Sequence, residues 1–266
     1  MLSLQQICGR GAKHRTDKIF LERTLVKITI KAVKLTVITS LFNSSFFLRH
    51  FLNDIFRQTI FEDCEFFFLD AGGNDGSRLE ILKLAQFYPN IQYFNVGPKN
   101  IYETWNLGVV LSKTKFLTNW NTDDRRLPDS LEKQTKFLEE NPDIDLCYGQ
   151  TLWVDVPNIT VEESPQENKT PCFDATLETM LQFNSPHCLP VWRKSLHEKY
   201  GLFDDRYFSA GDYEMWMRAL NRGSKFGKLD EIVGSYYRNP KGISSNPENI
   251  DRAVAEVMKV RNLYSK

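Results

Sequence analysis

The spacing of apolar residues changes period repeatedly along this chain, and each change predicts an element. Leu35-Thr36-Val37-Ile38-Thr39 is a short β-branched run that predicts a buried strand, with a loop over residues 40–43 at its carboxyl end. Phe47, Phe51 and Ile55, with Leu48, Leu52 and Phe56, then recur at helical spacing and predict a helix over 46–56. Glu65-Phe66-Phe67-Phe68-Leu69 predicts a second strand ending at Asp70, and Ala71-Gly72-Gly73-Asn74-Asp75-Gly76 a turn-rich loop. Ser77 and Glu80 have capping-box spacing, and Leu79, Leu82 and Leu84 continue a helix. A strand over 91–96, a helix over about 101–112 and a strand over 116–120 follow. Asp129, with Pro128 before it and Glu132 after it, marks another helix start.

Beyond residue 145 the pattern is more broken. Residues 146–154 read as strand, and 157–171, with three prolines and no periodicity, as a surface loop. A short helix over 175–183 and a strand-like run over 187–192 come next. In 211–220, Met215, Trp216, Ala219 and Leu220 make one apolar helical face, and Gly223 supplies a stop. A late strand over 232–237, a turn over 239–242 and a closing helix over 248–263 complete the chain. Strands alternate with helices through the first ~120 residues, the pattern of a largely parallel sheet with crossover helices, hence an α/β fold.

Composition narrows the function. With 266 residues the chain has room for one large α/β domain or two small ones. Lys+Arg and Asp+Glu are both 34, so the net charge gives no reason to expect nucleic acid as a partner. The five cysteines are scattered, without a Cys-x-x-Cys pair or clustered histidines, which argues against zinc and suits a reducing compartment. No apolar run is long enough to span a bilayer, and the N-terminus lacks the apolar core of a secretory signal. The expected location is therefore the cytoplasm, with the Asn-x-Ser/Thr sequences at Asn43, Asn158 and Asn168 taken as chance matches. Residues 1–34 carry eight Lys/Arg against Asp17 and Glu22, which reads as a solvated extension. Peripheral contact with anionic lipid, or a targeting role, is the alternative for that segment.

Carboxylates supply the candidate chemistry. Phe116-Leu117-Thr118-Asn119-Trp120 runs into Asn121-Thr122-Asp123-Asp124, which places acidic oxygens at the carboxyl edge of the sheet, where open α/β folds put ligands. Paired aspartates after a strand are more often turn or cap residues; the functional reading is a hard divalent cation shared with substrate phosphates. Asp70 beside its glycine-rich loop is either a turn residue or an acceptor for a nucleobase N–H. Asp212 at a helix start is favoured by the helix dipole; facing a cleft, it is a ready proton acceptor. Glu214 should point elsewhere, because residues two apart do not share a helix face.

In order, these motifs resemble family 2 glycosyltransferases of the GT-A fold. The resemblance rests on Val37 to Asn43 followed by Gln58-Thr59, on Asp70-Ala71-Gly72-Gly73-Asn74-Asp75, and on Trp105-Asn106-Leu107-Gly108. It continues in Asn121-Thr122-Asp123-Asp124 and Gly211-Asp212-Tyr213-Glu214-Met215-Trp216. It implies a basic extension over 1–32, a single catalytic domain over 33–245 with a mostly parallel mixed sheet flanked by helices, and a C-terminal helix over 246–266 packed on it. By the same resemblance, Thr39, Leu41 and Asn43 line the nucleoside pocket, Asp70 meets the base, and Asp123 contacts ribose or metal. Asp124 binds Mn²⁺ or Mg²⁺, Arg238 belongs to a segment that closes over the diphosphate, and Asp212 is the catalytic base of an inverting transfer. The implied donor is a nucleotide-sugar, UDP-linked by family habit, and the acceptor a hydroxyl on a glycan, lipid-linked or protein substrate. Asn121 and Gly211 stand where the family often has acids. A catalytically silent nucleotide-sugar-binding module and a nucleotidyltransferase are the alternatives.

Overall fold

A computed structural model describes residues 33–265; the basic extension expected over 1–32 lies outside the described residues. The strands are β1 (Leu35–Leu41), β2 (Cys64–Asp70), β3 (Ile91–Asn95), β4 (Phe116–Asn119), β5 (Arg125–Arg126), β6 (Leu146–Val154), β7 (Val191–Arg193) and β8 (Phe226–Tyr237). The helices are α1 (Ser45–Phe56), α2 (Ser77–Leu84), α3 (Ile101–Leu111), α4 (Ser130–Glu140), α5 (Leu177–Gln182), α6 (Ser195–Tyr200), α7 (Gly211–Asn221) and α8 (Ile250–Tyr264). Among the described residues the strands form one mixed sheet in the order β3-β2-β1-β4-β7-β6-β8-β5. The first four positions are parallel, β7 runs antiparallel to both its neighbours, and β5 runs antiparallel to β8.

Both faces of the sheet are covered, which is why its strands read as apolar runs rather than alternations. On one face Leu35, Val37, Leu41, Phe66, Phe68 and Phe116 pack under Leu48, Phe51 and Ile55 of α1 and Leu131 and Leu138 of α4. On the other, Ile38, Phe67, Leu117, Tyr148 and Trp192 meet Trp105 and Val109 of α3 and Met215, Trp216 and Ala219 of α7. Gly108 belongs to this second contact. A Cβ there would lie 2.6 Å from the Ile38 side chain, so glycine lets α3 settle onto β1. Helix α8 buries Val260 and Ala253, donates from Arg261 to the Gln182 carbonyl at 2.7 Å, and bonds Tyr264 Oη to Glu214 at 3.0 Å.

Several local expectations give way to tertiary context. Ser77 is not an N-cap: it lies inside α2, and its N–H and hydroxyl both donate to Asp75 at 3.1 and 2.5 Å. Leu79 and Leu82 face solvent, and Ile81 is the apolar residue that α2 fully buries. Asp129 does stand at the start of α4 as expected, as its N-cap residue, but its side chain makes no capping bond and pairs with Lys133. The run 187–192 is strand only from Val191, because His187 takes a left-handed φ of 44° in a turn over 184–187. Strand β8 begins at Phe226, six residues before the expected start, because parallel pairing with β6 extends it. The segment 157–171 is partly inside: Val161 and Ser164 are buried, and the Asn158 carbonyl accepts from Arg125 at 2.9 Å.

Candidate active site

Strands β2 and β3 are added on one side of β1 and β4 on the other, so the sheet switches direction between β1 and β4. Open α/β sheets take their ligands at the carboxyl end of such a switch point, which here lies between the loop after β1 and the loop after β4. Asn43 sits at φ 51°, and its side-chain oxygen accepts from Asn74 N at 3.1 Å. Gly73 comes so close that a Cβ would lie 2.6 Å from Asn43 N, which explains the glycine there. Asp75 ties the two loops together by accepting from Ser45 N at 2.6 Å and from Ser77. Burial alone would raise its pKa, but those hydrogen bonds hold it down at about 2.

The loop carrying the acidic pair is fixed from behind. Trp120, fully buried, donates its indole N–H to the Asp124 carbonyl at 3.0 Å. Arg125 forms a buried bidentate pair with Asp54 of α1 at 2.6 and 2.7 Å. Arg126 is spent on Gln134 and Thr118, both at 2.8 Å. Neither arginine bonds the acids that precede it. Asp124 accepts only weak contacts, from Tyr237 N and the Asn121 amide, both at 3.3 Å. An aspartate at 121 has no donor to offer Asp124, whereas asparagine does. Asp123 accepts from the Asn239 amide at 2.9 Å.

Burial pushes both carboxyls up, and the neighbouring Asp123 pushes Asp124 further, well above the usual carboxylate range. No lysine or arginine among the described residues forms an ion pair with either acid. Arg126 lowers the Asp124 pKa only as a lesser effect, and two adjacent, desolvated carboxylates without a direct ion-pair partner are costly to keep ionised unless a cation joins them. Their all-oxygen donor set fits a hard divalent ion such as Mg²⁺ or Mn²⁺. Among the described residues no group of three or more His, Cys, Asp or Glu gathers into a metal cage, so an ion held by this pair would need further ligands such as substrate phosphates.

Asp212 is the second residue of α7. Its Oδ1 accepts from the Tyr102 hydroxyl at 3.2 Å, with the Asn184 amide alongside. Helix α3 starts just after β3, so first-turn Tyr102 lies at the carboxyl edge and brings Asp212 to it. Burial raises the half-buried Asp212 carboxyl to about 6, against the Tyr213 amide and the Tyr102 hydroxyl, which favour the charged form. Residues 184–188 bridge the two acidic centres. Asn184 lies against Asp212, and Cys188, whose thiol is raised first by burial and then by Asp124, lies beside the acidic pair. Glu214 points away, toward Arg218 at 2.9 Å and Tyr264.

Gly211 has a steric reason. A Cβ there would stand 2.9 Å from the Tyr102 ring. The ring that donates to Asp212 thus occupies the space a side chain at 211 would need. Gly211→Ala is expected to displace that ring and cost roughly 1–3 kcal/mol, as overpacking does. Thermal unfolding checks the cost, and an unchanged melting temperature with an undisturbed Tyr102 would contradict it.

Asp70 is buried, with Oδ2 accepting from the Tyr93 hydroxyl at 2.7 Å and Oδ1 from Gly72 N at 2.9 Å, so its oxygens already have internal partners. The Leu41 side chain belongs to the core under α1, and Thr39 is buried in β1 at 1% exposure. What Leu41 offers the loop is its carbonyl, which accepts from Ala71 N. Arg238 does not reach the acidic pair. Its guanidinium is held bidentately by Asp155 and lies over the Trp153 ring, while the adjacent Asn239 makes the contact to Asp123. Tyr93, Tyr102 and Asn239 carry no local sequence signal; only the third dimension pairs them with the acids.

The chain spans 65% of the length of an uncharacterised glycosyltransferase of Methanocaldococcus jannaschii, to which it is 26% identical over 196 residues, 71% of its own length. Its fold is shared with S. aureus TarS 1-349 in complex with UDP-GlcNAc, at a TM-score of 0.67 and 17% identity, over 87% of this chain and 66% of that one. It is shared also with the mannosyltransferase PcManGT from Pyrobaculum calidifontis in complex with GDP-Man and Mn2+, at a TM-score of 0.61 and 14% identity, over 86% of this chain and 65% of that one. The sequence model for Glycosyl transferase family 2 matches residues 36–198, more than half of the chain, from β1 through α6 and including the acidic pair. The chain belongs to glycosyltransferase family 2.

Proposed function

We propose that this protein is a metal-dependent, inverting glycosyltransferase that moves a sugar from a nucleotide-diphosphate sugar to an acceptor hydroxyl, with residues 33–245 as its catalytic domain. What supports the reading is two acidic centres, one after β4 and one that Tyr102 of α3 meets: Asp123 and the buried Asp124 have no ion-pair partner among the described residues, and Asp212 has a carboxyl raised to about 6. The bound UDP-GlcNAc of TarS and the bound GDP-Man and Mn2+ of PcManGT support a nucleotide-sugar donor and a divalent ion. A UDP-sugar is the first donor to test.

Asp124 and Asp123 would hold Mn²⁺ or Mg²⁺, whose charge neutralises the leaving diphosphate when the ion is bound. Asp212 takes the proton of the acceptor hydroxyl as that oxygen forms its bond to the anomeric carbon. The bond from that carbon to the diphosphate oxygen breaks on the opposite face, so configuration inverts. Tyr102 donates to the ionised carboxylate and fixes its direction. A carboxyl raised by burial is a stronger base than an exposed one and is still ionised at neutral pH.

This assignment fixes the sign of the pH dependence. Transfer needs ionised Asp212, so kcat/KM should fall tenfold per pH unit below about 6 and level off above it. Tyr102→Phe removes a donor to the charged form and should move that limb to higher pH. A limb unmoved in the variant would take Tyr102 out of the base's environment. The proposal as a whole is tested by calorimetry with UDP and Mn²⁺, followed by release of nucleoside diphosphate from donor sugars. Binding without turnover on any acceptor would favour a silent module. Gly211 is weak support for that module, because the Tyr102 ring accounts for the glycine.

A further inference from the structure

Asp212 is reached through residues 203–210, an irregular stretch between α6 and α7. Irregular backbone directly before a catalytic residue has to be held by something. On the α3 side, Asn106 both donates to the Phe203 carbonyl at 2.8 Å and accepts from Phe203 N at 3.0 Å. The Asn100 amide donates to the Asp205 carbonyl at 2.9 Å. These bonds fix the entry of the stretch. Its exit, immediately before α7, is held from a different direction.

Three consecutive amides at that exit converge on one carboxylate of α8. Phe208 N donates to Glu256 Oε1 at 2.7 Å and Oε2 at 3.0 Å. Ser209 N and Ala210 N donate to Oε2 at 2.8 and 3.2 Å, with the Ser209 hydroxyl at 3.5 Å. Successive N–H groups aimed at one point make a nest for an anion, and a helix N-terminus favours negative charge. Glu256 fills that nest from within the chain. Its neighbours on α8 clasp the same stretch: Arg252 stacks on the Phe208 ring at 4.1 Å, and Lys259 lies over the Tyr207 ring at 4.9 Å. Residue 211 has no room for a side chain of its own beneath Tyr102, and the amides just before it are met by a carboxylate of α8.

We propose that Glu256 is a positioning residue for Asp212: it locks the amides of 208–210 and so sets the direction in which the first turn of α7 presents its carboxylate. The inference rests on Asp212 being the base. Ala210 caps α7 and Asp212 stands two residues further on, so a shift at the nest is passed directly to the carboxylate. The acidic pair 123–124 hangs on β4 and α1 and is independent of this latch. Glu256 should therefore govern kcat and leave donor binding alone.

The test is a double-mutant cycle on the full chain, with turnover read by nucleoside diphosphate release and donor affinity by calorimetry with Mn²⁺. Glu256→Ala should lower kcat by about 10- to 100-fold, as a misplaced catalytic group does, with donor Kd unchanged. Glu256→Gln, which keeps an acceptor for the amides, should recover part of the loss. In an Asp212→Asn background the same Glu256→Ala change should cost little of the residual turnover, because residues acting as a unit are not additive. Full activity in Glu256→Ala, an equal loss in both backgrounds, or a parallel loss of donor affinity overturns the positioning role. Wild-type turnover in Asp212→Asn alone overturns the base assignment first, and the two failures are thereby distinguished.

Discussion

Asp212→Asn should bind the nucleotide-sugar as the wild type does and lose transfer by about 10²- to 10⁴-fold, the range for removal of a general base. The substitution keeps shape and volume. The Tyr102 hydroxyl at 3.2 Å can still donate to the amide oxygen, so the local structure has no reason to collapse. What disappears is the acceptor for the incoming proton. Burial opposes ionisation of Asp212, so replacing it with a neutral amide relieves a cost, and stability should hold or rise. Loss of activity with retained binding and melting temperature is the signature of a catalytic rather than a structural residue. It is read from single-turnover transfer beside donor titration.

Asp124→Asn should have the opposite profile. Donor binding in the presence of Mn²⁺ should weaken by on the order of 10²-fold or more, since even an outer partner of a metal ligand is worth 10–100-fold. Binding without metal should change little. The protein should melt no lower than the wild type, because the buried Asp124 carboxylate is repelled by its neighbour Asp123 without a Lys or Arg ion-pair partner. A variant that is more stable and yet blind to Mn²⁺ shows that the acids are kept for binding. If Asp124→Asn binds donor as the wild type does with Mn²⁺ present, the metal reading of this loop fails.

Much of this architecture was legible because its signals are local. The strands β1, β2 and β4 are apolar runs that stop at polar loops, and the acids and glycines that matter stand at those stops. The order of motifs from Val37 to Trp216 pointed to the family that the match over 36–198 bears out. The misses share one cause, pairing over distance. Two arginines make β5 only because Gly234 lets β8 approach, where a Cβ would stand 2.2 Å from the Arg125 carbonyl. The early half of β8, Phe226-Gly227-Lys228-Leu229-Asp230-Glu231, has no strand period and is extended by β6.

The site shows the same division. Asp123, Asp124 and Asp212 could be picked out from the chain as candidates, by their place after a strand or at a helix start, with their proposed roles implied by the family resemblance. Their partners could not. Tyr102 meets Asp212 across 110 positions, and Asn239 meets Asp123 across 116. Arg238, which the family resemblance placed over the diphosphate, is held by Asp155, and its uncharged neighbour Asn239 contacts Asp123. Asn106 and Gly108 were legible as a motif but not as a mechanism: one ties α3 to Phe203, and the other lets α3 sit on β1.

The most direct measurement is a crystal structure of the protein with a UDP-sugar and Mn²⁺, located by its anomalous signal. A manganese peak is expected on the carboxylates of Asp123 and Asp124, with the anomeric carbon turned toward Asp212. Manganese bound elsewhere, or an anomeric carbon facing away from Asp212, would contradict it.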